Sequence, residues 1–214
     1  MTEFLSAGPI TAPIHVLLAH GAGAPMTSPF LETITGMLVQ RGLQVSRFEF
    51  DYMAARRQGG KRRPPPRAEK LVGEYTSAVG ALLDMGAARQ RLLIGGKSLG
   101  GRVASLAADQ LFEAGDIRGL VCLGYPFHPP GKPDRLRTAH LETIVCPTLI
   151  VQGERDPFGS RAEVEGFALS PAVRLAWASD GDHDLGPRGS SGFTRSENLA
   201  LAADAIDAFA NGIG

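Results

Sequence analysis

The chain has 214 residues, of which 43% are hydrophobic and 21% charged, as is usual for one globular domain. Its 22 basic and 22 acidic residues cancel, so no net charge favours binding to nucleic acid or to a membrane surface. No apolar run approaches the roughly 18 residues that span a bilayer. Residues 1–13 lack the basic and apolar segments of a targeting peptide, and there are only two cysteines. These features predict a cytoplasmic protein.

Short apolar runs alternate with longer helix-like segments along the chain. The predicted strands, in chain order, are 14–19, 44–50, 91–94, 119–123, 148–152 and 173–177. The predicted helices are 29–41, 68–84, 99–114, 160–168 and 194–210. Continuous apolar strands separated by helices indicate a three-layer α/β/α sandwich around a doubly wound, mostly parallel sheet of about six strands. No linker divides the chain, so we expect a single domain over residues 1–214.

The strongest motif is Gly96-Lys97-Ser98-Leu99-Gly100, which follows an apolar strand and opens a helix. Such a sharp turn holds its serine at strained backbone angles, and the glycines allow neighbouring chains to approach closely. The turn exposes the Ser98 hydroxyl and leaves the Leu99 N–H free at a helix N-terminus. The motif therefore predicts Ser98 as a nucleophile and Leu99 as one backbone donor of an oxyanion hole.

Two phosphate-binding motifs resemble parts of this sequence and are excluded by their surroundings. A P-loop ending in Gly96-Lys97-Ser98 requires another glycine five positions earlier, where Arg91 stands. A dinucleotide fingerprint beginning at Gly21 lacks its third glycine, because Met26 occupies that position. We therefore expect no cofactor.

The segment His20-Gly21-Ala22-Gly23 follows the first predicted strand and has a different explanation. In acyl-transfer enzymes with a strand–turn–helix serine, the loop after an early strand supplies the second oxyanion donor. We predict that this donor is the Ala22 N–H. Because His20 belongs to this loop and precedes the serine, we expect it to be structural.

The acid and the base should follow the serine in the order Asp, His. Asp156 lies in the turn after the predicted strand 148–152, and His183 is the only histidine after Asp156. Glu154 and Asp134 are competing candidates for the acid. A metal site that combines His183 with nearby carboxylates is a further alternative, although it has no second histidine or cysteine. Its ligands would be Asp180, Asp182, His183 and Asp184. We predict Ser98, Asp156 and His183 as the catalytic residues, without a metal.

Substrate contacts are predicted less directly. Arg56 and Arg57 open a basic segment that continues through residues 61–63 and reads as a loop at the catalytic edge of the sheet. This segment could attract an anionic substrate or could simply be solvated. Phe127 and His128 could line the mouth of the site or serve the core.

The segment 124–146 bears on the size of the substrate. It is too short, and too rich in proline in its first half, to form the helical lid of a lipase. Each methylene of an acyl chain that is buried contributes about 0.8 kcal/mol, so selectivity for long chains requires a deep apolar groove. No segment of the sequence is suited to form such a groove. We expect a preference for short acyl groups.

Six sequence blocks resemble one small α/β-hydrolase family. That family includes bacterial predicted hydrolases and the animal testis-expressed and non-specific-lethal-complex proteins, and it is more distantly similar to dienelactone hydrolases. The resemblance implies the fold and the positions Ser98, Asp156 and His183, but no substrate. The blocks are His20–Gly23, Gly95–Arg102, Tyr125–Lys132, Leu136–Leu141, Gln152–Gly159 and Asp182–Leu185.

Together these observations predict a serine hydrolase that cleaves an ester, a thioester or a related carbonyl bond of a small soluble molecule. The expected partners include neither nucleic acid nor membrane, and the expected oligomeric state is a monomer or a weak homodimer. The alternative is a protein-interaction module that retains the fold without turnover, since some proteins of the resembled family act as subunits of larger assemblies.

Overall fold

The computed structural model describes residues 2–57, 59–60 and 64–213, without the side chain of Gln90. In these residues seven strands form one sheet in the order β1-β3-β2-β4-β5-β6-β7. Strands β2 to β7 are parallel to one another, and β1 pairs with β3 in the antiparallel direction. The strands are β1 Phe4–Ala7, β2 His15–Ala19, β3 Gln44–Phe48, β4 Leu92–Lys97, β5 Gly119–Leu123, β6 Thr148–Gly153 and β7 Val173–Ala178.

Helices cover both faces of this sheet. They are α1 Pro29–Gln40, α2 Asp51–Arg57, α3 Ala68–Asp84, α4 Leu99–Glu113, α5 Arg161–Val164 and α6 Arg195–Gly212. Side chains alternate between the faces along each strand. Leu17 and Ile94 therefore belong to the hydrophobic cluster under α3 and α4, whereas Leu18 and Leu93 belong to the cluster under α1 and α6. The predicted three-layer α/β/α architecture is confirmed.

Three elements differ from the sequence-based expectation. Strand β1 was missed, because an edge strand of four partly exposed residues carries little apolar signal. Helix α2 occupies the start of the segment that was interpreted as a basic loop. Helix α5 is four residues long instead of the nine expected over 160–168, and the chain turns out of it at Gly166. Each miss concerns a short element, for which periodicity is a weak guide.

The order of the strands determines where a site can form. Strands β2 and β4 are neighbours, but the chain leaves β2 towards β3 on one side and leaves β4 towards β5 on the other side. Loops that follow such neighbouring strands separate and open a crevice at their carboxyl ends. At that end Ala19 of β2 is opposite Gly96 of β4. The loop that begins at His20 and the turn that carries Ser98 are therefore adjacent. None of the helices described here is long and apolar enough to cross a membrane.

Candidate active site

Ser98 lies in the tight turn between β4 and α4. Its backbone angles are φ 51° and ψ −112°, a conformation that L-residues rarely adopt. The turn is closed by backbone contacts that leave no room for a side chain at Gly96, where a Cβ would lie 2.5 Å from the Ala19 carbonyl oxygen. The Ser98 N–H donates to the Leu123 carbonyl oxygen at 2.9 Å, which ties the turn to the end of β5.

A continuous chain of hydrogen bonds joins Ser98, His183 and Asp156. The distance from His183 Nε2 to Ser98 Oγ is 2.8 Å, and that from His183 Nδ1 to Asp156 Oδ2 is also 2.8 Å. An ionised carboxylate only accepts, so Nδ1 carries the imidazole proton and Nε2 is left to accept from the serine hydroxyl. The structure thus brings the three predicted catalytic residues together, in the arrangement that activates a serine.

Asp156 is fully buried and is held by donors besides His183. Its Oδ1 accepts from the Phe158 N–H at 2.8 Å, and its Oδ2 accepts from Gln152 Nε2 at 2.9 Å. Gln152, itself fully buried in β6, also bonds the backbone of Tyr125 and the Gly159 carbonyl oxygen. A buried carboxylate needs such hydrogen-bond donors to replace the water it has lost. Gln152 therefore helps to position the Asp156 carboxylate.

The loop that carries His183 is fixed at both ends. Asp180 and Leu185 have positive φ angles of 49° and 62°, and Leu185 is fully buried. Asp180 pairs with Arg188, and this ion pair lowers the Asp180 pKa to about 2. Asn198 of α6 donates to the carbonyl oxygens at both ends of the loop, on residues 179 and 185. The imidazole thus has a defined position over the serine.

The competing candidates for the acid do not hydrogen-bond to His183, which bonds to Asp156 instead. Glu154 accepts from the Asp180 N–H at 2.8 Å and pairs with Arg161 at 3.0 Å, while Asp134 is exposed. Asp182 accepts from two N–H groups of its own loop, including that of Gly186 at 2.8 Å. Within the described ranges no group of three or more histidine, cysteine or carboxylate side chains is arranged to hold a metal ion.

The two predicted oxyanion donors flank the serine. Leu99 is the first residue of α4, and Ala22 lines the same cavity as Ser98 and Leu99. Neither N–H has a protein acceptor among residues 2–57, 59–60 and 64–213. The Ala22 backbone is also held by Tyr52, whose Oη donates to the Ala22 carbonyl oxygen at 3.1 Å. Both N–H groups are available to an oxygen bound beside Ser98.

His20 supports this loop from within the core. Its Nδ1 donates to the Gly21 carbonyl oxygen at 2.6 Å, and its Nε2 accepts from the Phe50 N–H at 3.2 Å. An imidazole that accepts a backbone N–H must be neutral, and burial lowers the pKa of His20 accordingly. This placement agrees with the structural role expected for His20.

The predicted arginine contacts are not found at the serine. Arg57 pairs with Glu3 and with Glu49, a nearly fully buried carboxylate that needs a counter-ion. The cavity beside Arg57 is a separate one, and neither Arg56 nor Arg57 lines a cavity that contains Ser98. This corrects the expectation that these two residues bind substrate. Lys61, Arg62 and Arg63 lie outside the described residues.

Phe127 and His128 are also placed in the core. Phe127 is fully buried and packs edge-on against Tyr125, with ring centroids 4.9 Å apart. His128 is 3% exposed, and its Nδ1 bonds the Pro129 carbonyl oxygen at 2.9 Å. Neither lines a cavity around Ser98, so the expectation that they form the mouth of the site is corrected.

Two residues near the serine belong to the sequence motifs but were not among the predicted site residues. Phe158 packs on the His183 ring with centroids 4.2 Å apart. Lys97 is 6% exposed and lies 3.2 Å from Asp184, and burial lowers the pKa of this lysine. Lys97 lies inside the G-x-S-x-G motif, between Gly96 and Ser98, but only the fold shows that its ammonium group is buried beside the site.

A mostly parallel sheet covered by helices on both faces, with hydrogen-bonded serine, histidine and aspartate at its carboxyl edge, defines the α/β-hydrolase class of proteins. The family described as "Alpha/beta hydrolase domain" matches residues 12–211. The chain therefore belongs to this alpha/beta hydrolase domain family, and the resemblance seen in its sequence blocks is confirmed at that level. The relation to the animal proteins stays a sequence-based prediction.

Solved structures show the same fold. An alpha-beta serine hydrolase homologue from Coxiella burnetii is similar with a TM-score of 0.72 and 18% identity, covering 96% of this chain and 91% of that chain. A dienelactone hydrolase from Anabaena variabilis has a TM-score of 0.68 and 22% identity, with coverages of 95% and 89%. A serine hydrolase without a lid from Xanthomonas campestris has a TM-score of 0.63 and 17% identity, with coverages of 86% and 81%.

Proposed function

We propose that the chain is a serine hydrolase that cleaves a carboxylic ester, a thioester or a related carbonyl bond of a small soluble molecule. The observation that carries this proposal is the hydrogen-bonded chain from Ser98 Oγ through His183 to the buried Asp156. A scaffold does not need a serine in a strained turn, aligned with an imidazole whose tautomer is held by a carboxylate. Membership in the alpha/beta hydrolase domain family supports the same conclusion.

In the proposed mechanism, Ser98 Oγ attacks the substrate carbonyl carbon while His183 Nε2 takes the hydroxyl proton. Asp156 stabilises the imidazolium that forms. The Ala22 and Leu99 N–H groups bind the oxyanion, and loss of one such donor typically costs about 3 kcal/mol of transition-state stabilisation. The leaving group departs with the proton from His183, and water activated by the same imidazole then releases the acid and restores Ser98.

The surroundings of Ser98 favour short acyl groups. Between β5 and β6 the chain forms only one short helical segment, a 3₁₀ turn at Ala139–Glu142, with no helix placed as a roof over the serine. The cavities at Ser98 are open and have volumes of about 530 and 470 Å³. Sites of this size hold small molecules. The proposed substrates are therefore small esters or thioesters rather than lipids.

Labelling with a fluorophosphonate probe tests the nucleophile. We expect one covalent adduct on Ser98, and we expect Ser98→Ala to abolish it without changing the melting temperature by more than a few degrees. Ser190→Ala, which alters an exposed loop serine, is the matched control and should label like the parent chain. His183→Ala should lower ester turnover by several powers of ten, and Asp156→Asn by a similar or smaller factor.

Mass spectrometry of the labelled chain, together with an ester hydrolysis assay, distinguishes this proposal from the protein-interaction alternative. An adduct on Ser98 together with measurable turnover of short nitrophenyl esters would support the hydrolase. A folded chain that forms no adduct and hydrolyses no ester would contradict the proposal and favour a protein-interaction role.

A further inference from the structure

Two open cavities meet at Ser98 and differ in charge. The first, here called the arginine cavity, has a volume of about 530 Å³ and is lined by Leu99, Pro126 and four charged residues. The second, here called the histidine cavity, has a volume of about 470 Å³ and contains His183 and Phe30. Its charged side chains besides His183 are the Lys97–Asp184 ion pair and the exposed Arg195. Ser98, Ala22 and Phe158 border both. The charged residues of the arginine cavity are Arg67, Glu69, Arg102 and Arg137.

The arginine cavity has an excess of positive charge. Arg102 pairs with Glu69 at 2.6 Å, and the Glu69 side chain is 57% exposed while that of Arg102 is 17% exposed. Arg137 has no carboxylate within ion-pair distance among the described residues. Burial and the neighbouring Arg102 both lower the pKa of Arg137, so the two guanidinium groups disfavour each other's charge. An anion bound between them would relieve this repulsion.

Backbone hydrogen bonds place both arginines relative to the serine. Arg102 follows Ser98 by one helical turn, and its N–H donates to the Ser98 carbonyl oxygen at 3.0 Å. The Arg137 N–H donates to the Phe127 carbonyl oxygen at 2.8 Å, and its own carbonyl oxygen accepts from Tyr125 Oη at 2.9 Å. The Nε of Arg102 is buried without a partner in the described part of the chain. The backbone of both arginines is thus fixed where they line the cavity, so an anion that binds there has only their side chains to order.

The position of His183 decides which half of a substrate enters each cavity. When the tetrahedral intermediate collapses, the bond from carbon to the leaving oxygen breaks, and that oxygen takes the proton from His183 Nε2. The leaving group must therefore lie on the side of His183, which lines the histidine cavity alone. The acyl group, which stays bonded to Ser98 Oγ, then extends into the arginine cavity.

Building on the proposed hydrolase function, we infer that the acyl group of the substrate ends in an anionic group that Arg102 and Arg137 bind. The substrate class is then a monoester or monothioester of a short dicarboxylic acid, or an acyl group with an equivalent terminal anion. Arg67, which is exposed at the edge of the cavity, adds attraction at longer range.

Matched esters test this inference. The probes are the nitrophenyl monoesters of glutarate and adipate. Each is compared with the same ester in which the free carboxylate is methylated. The rate of spontaneous hydrolysis is subtracted from every measurement. We expect the parent chain to prefer the anionic member, and Arg137→Gln to lower the ratio of anionic to neutral kcat/KM by about ten- to a hundredfold. Glu69→Gln, which removes the one carboxylate that lines the cavity among the described residues, should raise that ratio.

Arg135→Gln is the matched control, because it makes the same change in charge two residues away at an exposed position that does not line the cavity. It should leave the ratio unchanged. A second arm places the carboxylate on the leaving group, as in the acetate ester of hydroxybenzoate, and here Arg137→Gln should have no selective effect.

The results separate this inference from the proposed function. Equal turnover of anionic and neutral acyl esters by the parent chain and by a folded Arg137→Gln variant would overturn the inference while leaving the hydrolase intact. A selective effect only with carboxylated leaving groups would also overturn it. Absence of fluorophosphonate labelling together with absence of turnover of every ester would overturn both.

Discussion

Gln152 offers the most direct test of how the fold supports the proposed site. This fully buried residue of β6 donates from Nε2 to Asp156, to Gly159 and to the Tyr125 carbonyl oxygen, at 2.9, 3.1 and 3.2 Å. Its Oε1 accepts from the Tyr125 N–H at 2.7 Å. One side chain thus connects the end of β5, the turn after β6 and the buried carboxylate. We expect Gln152→Leu, which keeps the shape and removes all four bonds, to damage both stability and turnover.

The loss in the free energy of unfolding can be worked out from the groups that lose their hydrogen-bond partners in Gln152→Leu. The Tyr125 N–H and the Gly159 carbonyl oxygen have no other partner among the described residues, and each unsatisfied buried group costs about 1–3 kcal/mol. The charge-assisted bond to Asp156 adds about 1.5–3 kcal/mol. Burial of leucine returns about 2 kcal/mol. The expected loss in the free energy of unfolding is therefore about 2–7 kcal/mol, a large share of the stability of an ordinary domain.

Two assays separate the structural effect of Gln152 from its positioning effect. Chemical unfolding gives the change in stability, with Gln110→Leu on the exposed side of α4 as the matched control, expected within about 0.5 kcal/mol of the parent. Ester kinetics under conditions where the variant is folded should show kcat lowered by about ten- to a hundredfold with little change in KM. A variant that loses less than about 0.5 kcal/mol and keeps its kcat would refute this reasoning.

Three further changes test other parts of the structure. Gly96→Ala should destabilise the fold by more than about 2 kcal/mol, because its Cβ would lie 2.5 Å from a backbone oxygen, whereas Gly23→Ala meets no atom within 4 Å and should be neutral. Lys97→Met should leave stability unchanged or raise it by up to about 1 kcal/mol, because it removes a buried charge whose partner is 59% exposed. Burial lowers the pKa of His15 and His140 to about 4, so the unfolded chain binds more protons below pH 6.5. Stability should therefore fall from about pH 6.5 to about 4, by less than about 3 kcal/mol for each histidine.

Thermal and chemical unfolding check all three. A Gly96→Ala variant as stable as the parent chain and as Gly23→Ala would show that the turn tolerates a side chain. A Lys97→Met variant less stable by several kcal/mol would mean that the ammonium group is a net stabiliser. If His140→Asn leaves the acid limb of the stability curve as steep as before, that histidine does not take up a proton on unfolding.

The local sequence predicts the parts of the site that belong to one segment each. The apolar run before Gly96 and the small residues after Ser98 predict a strand, a turn and a helix, because side-chain size and backbone freedom act over a few residues. The order of serine, aspartate and histidine along the chain, each after a predicted strand, points to the three residues that the structure joins. Both inferences need only the rule that loops after parallel strands meet at one edge.

Contacts between segments distant in the chain lie beyond that reasoning. Nothing in the local sequence indicates that Gln152 holds Asp156 or that Arg57 is the counter-ion of the buried Glu49. The sequence around Phe127 is compatible with the mouth of a pocket and with a core. The structure places this side chain in the core, where it packs against Gly159. Such outcomes depend on burial, which is a property of the whole fold.

The sequence alone determined the α/β architecture, the strained serine and the candidates for acid and base, since these depend on periodicity, on glycine and on chain order. Only the tertiary structure decided which cations face the serine. The arginines expected there, Arg56 and Arg57, lie on α2 and line neither cavity at Ser98, whereas Arg102 and Arg137 are brought to one cavity from α4 and from the segment before β6. Charge acts through space, and the distances between distant residues exist only once the chain has folded.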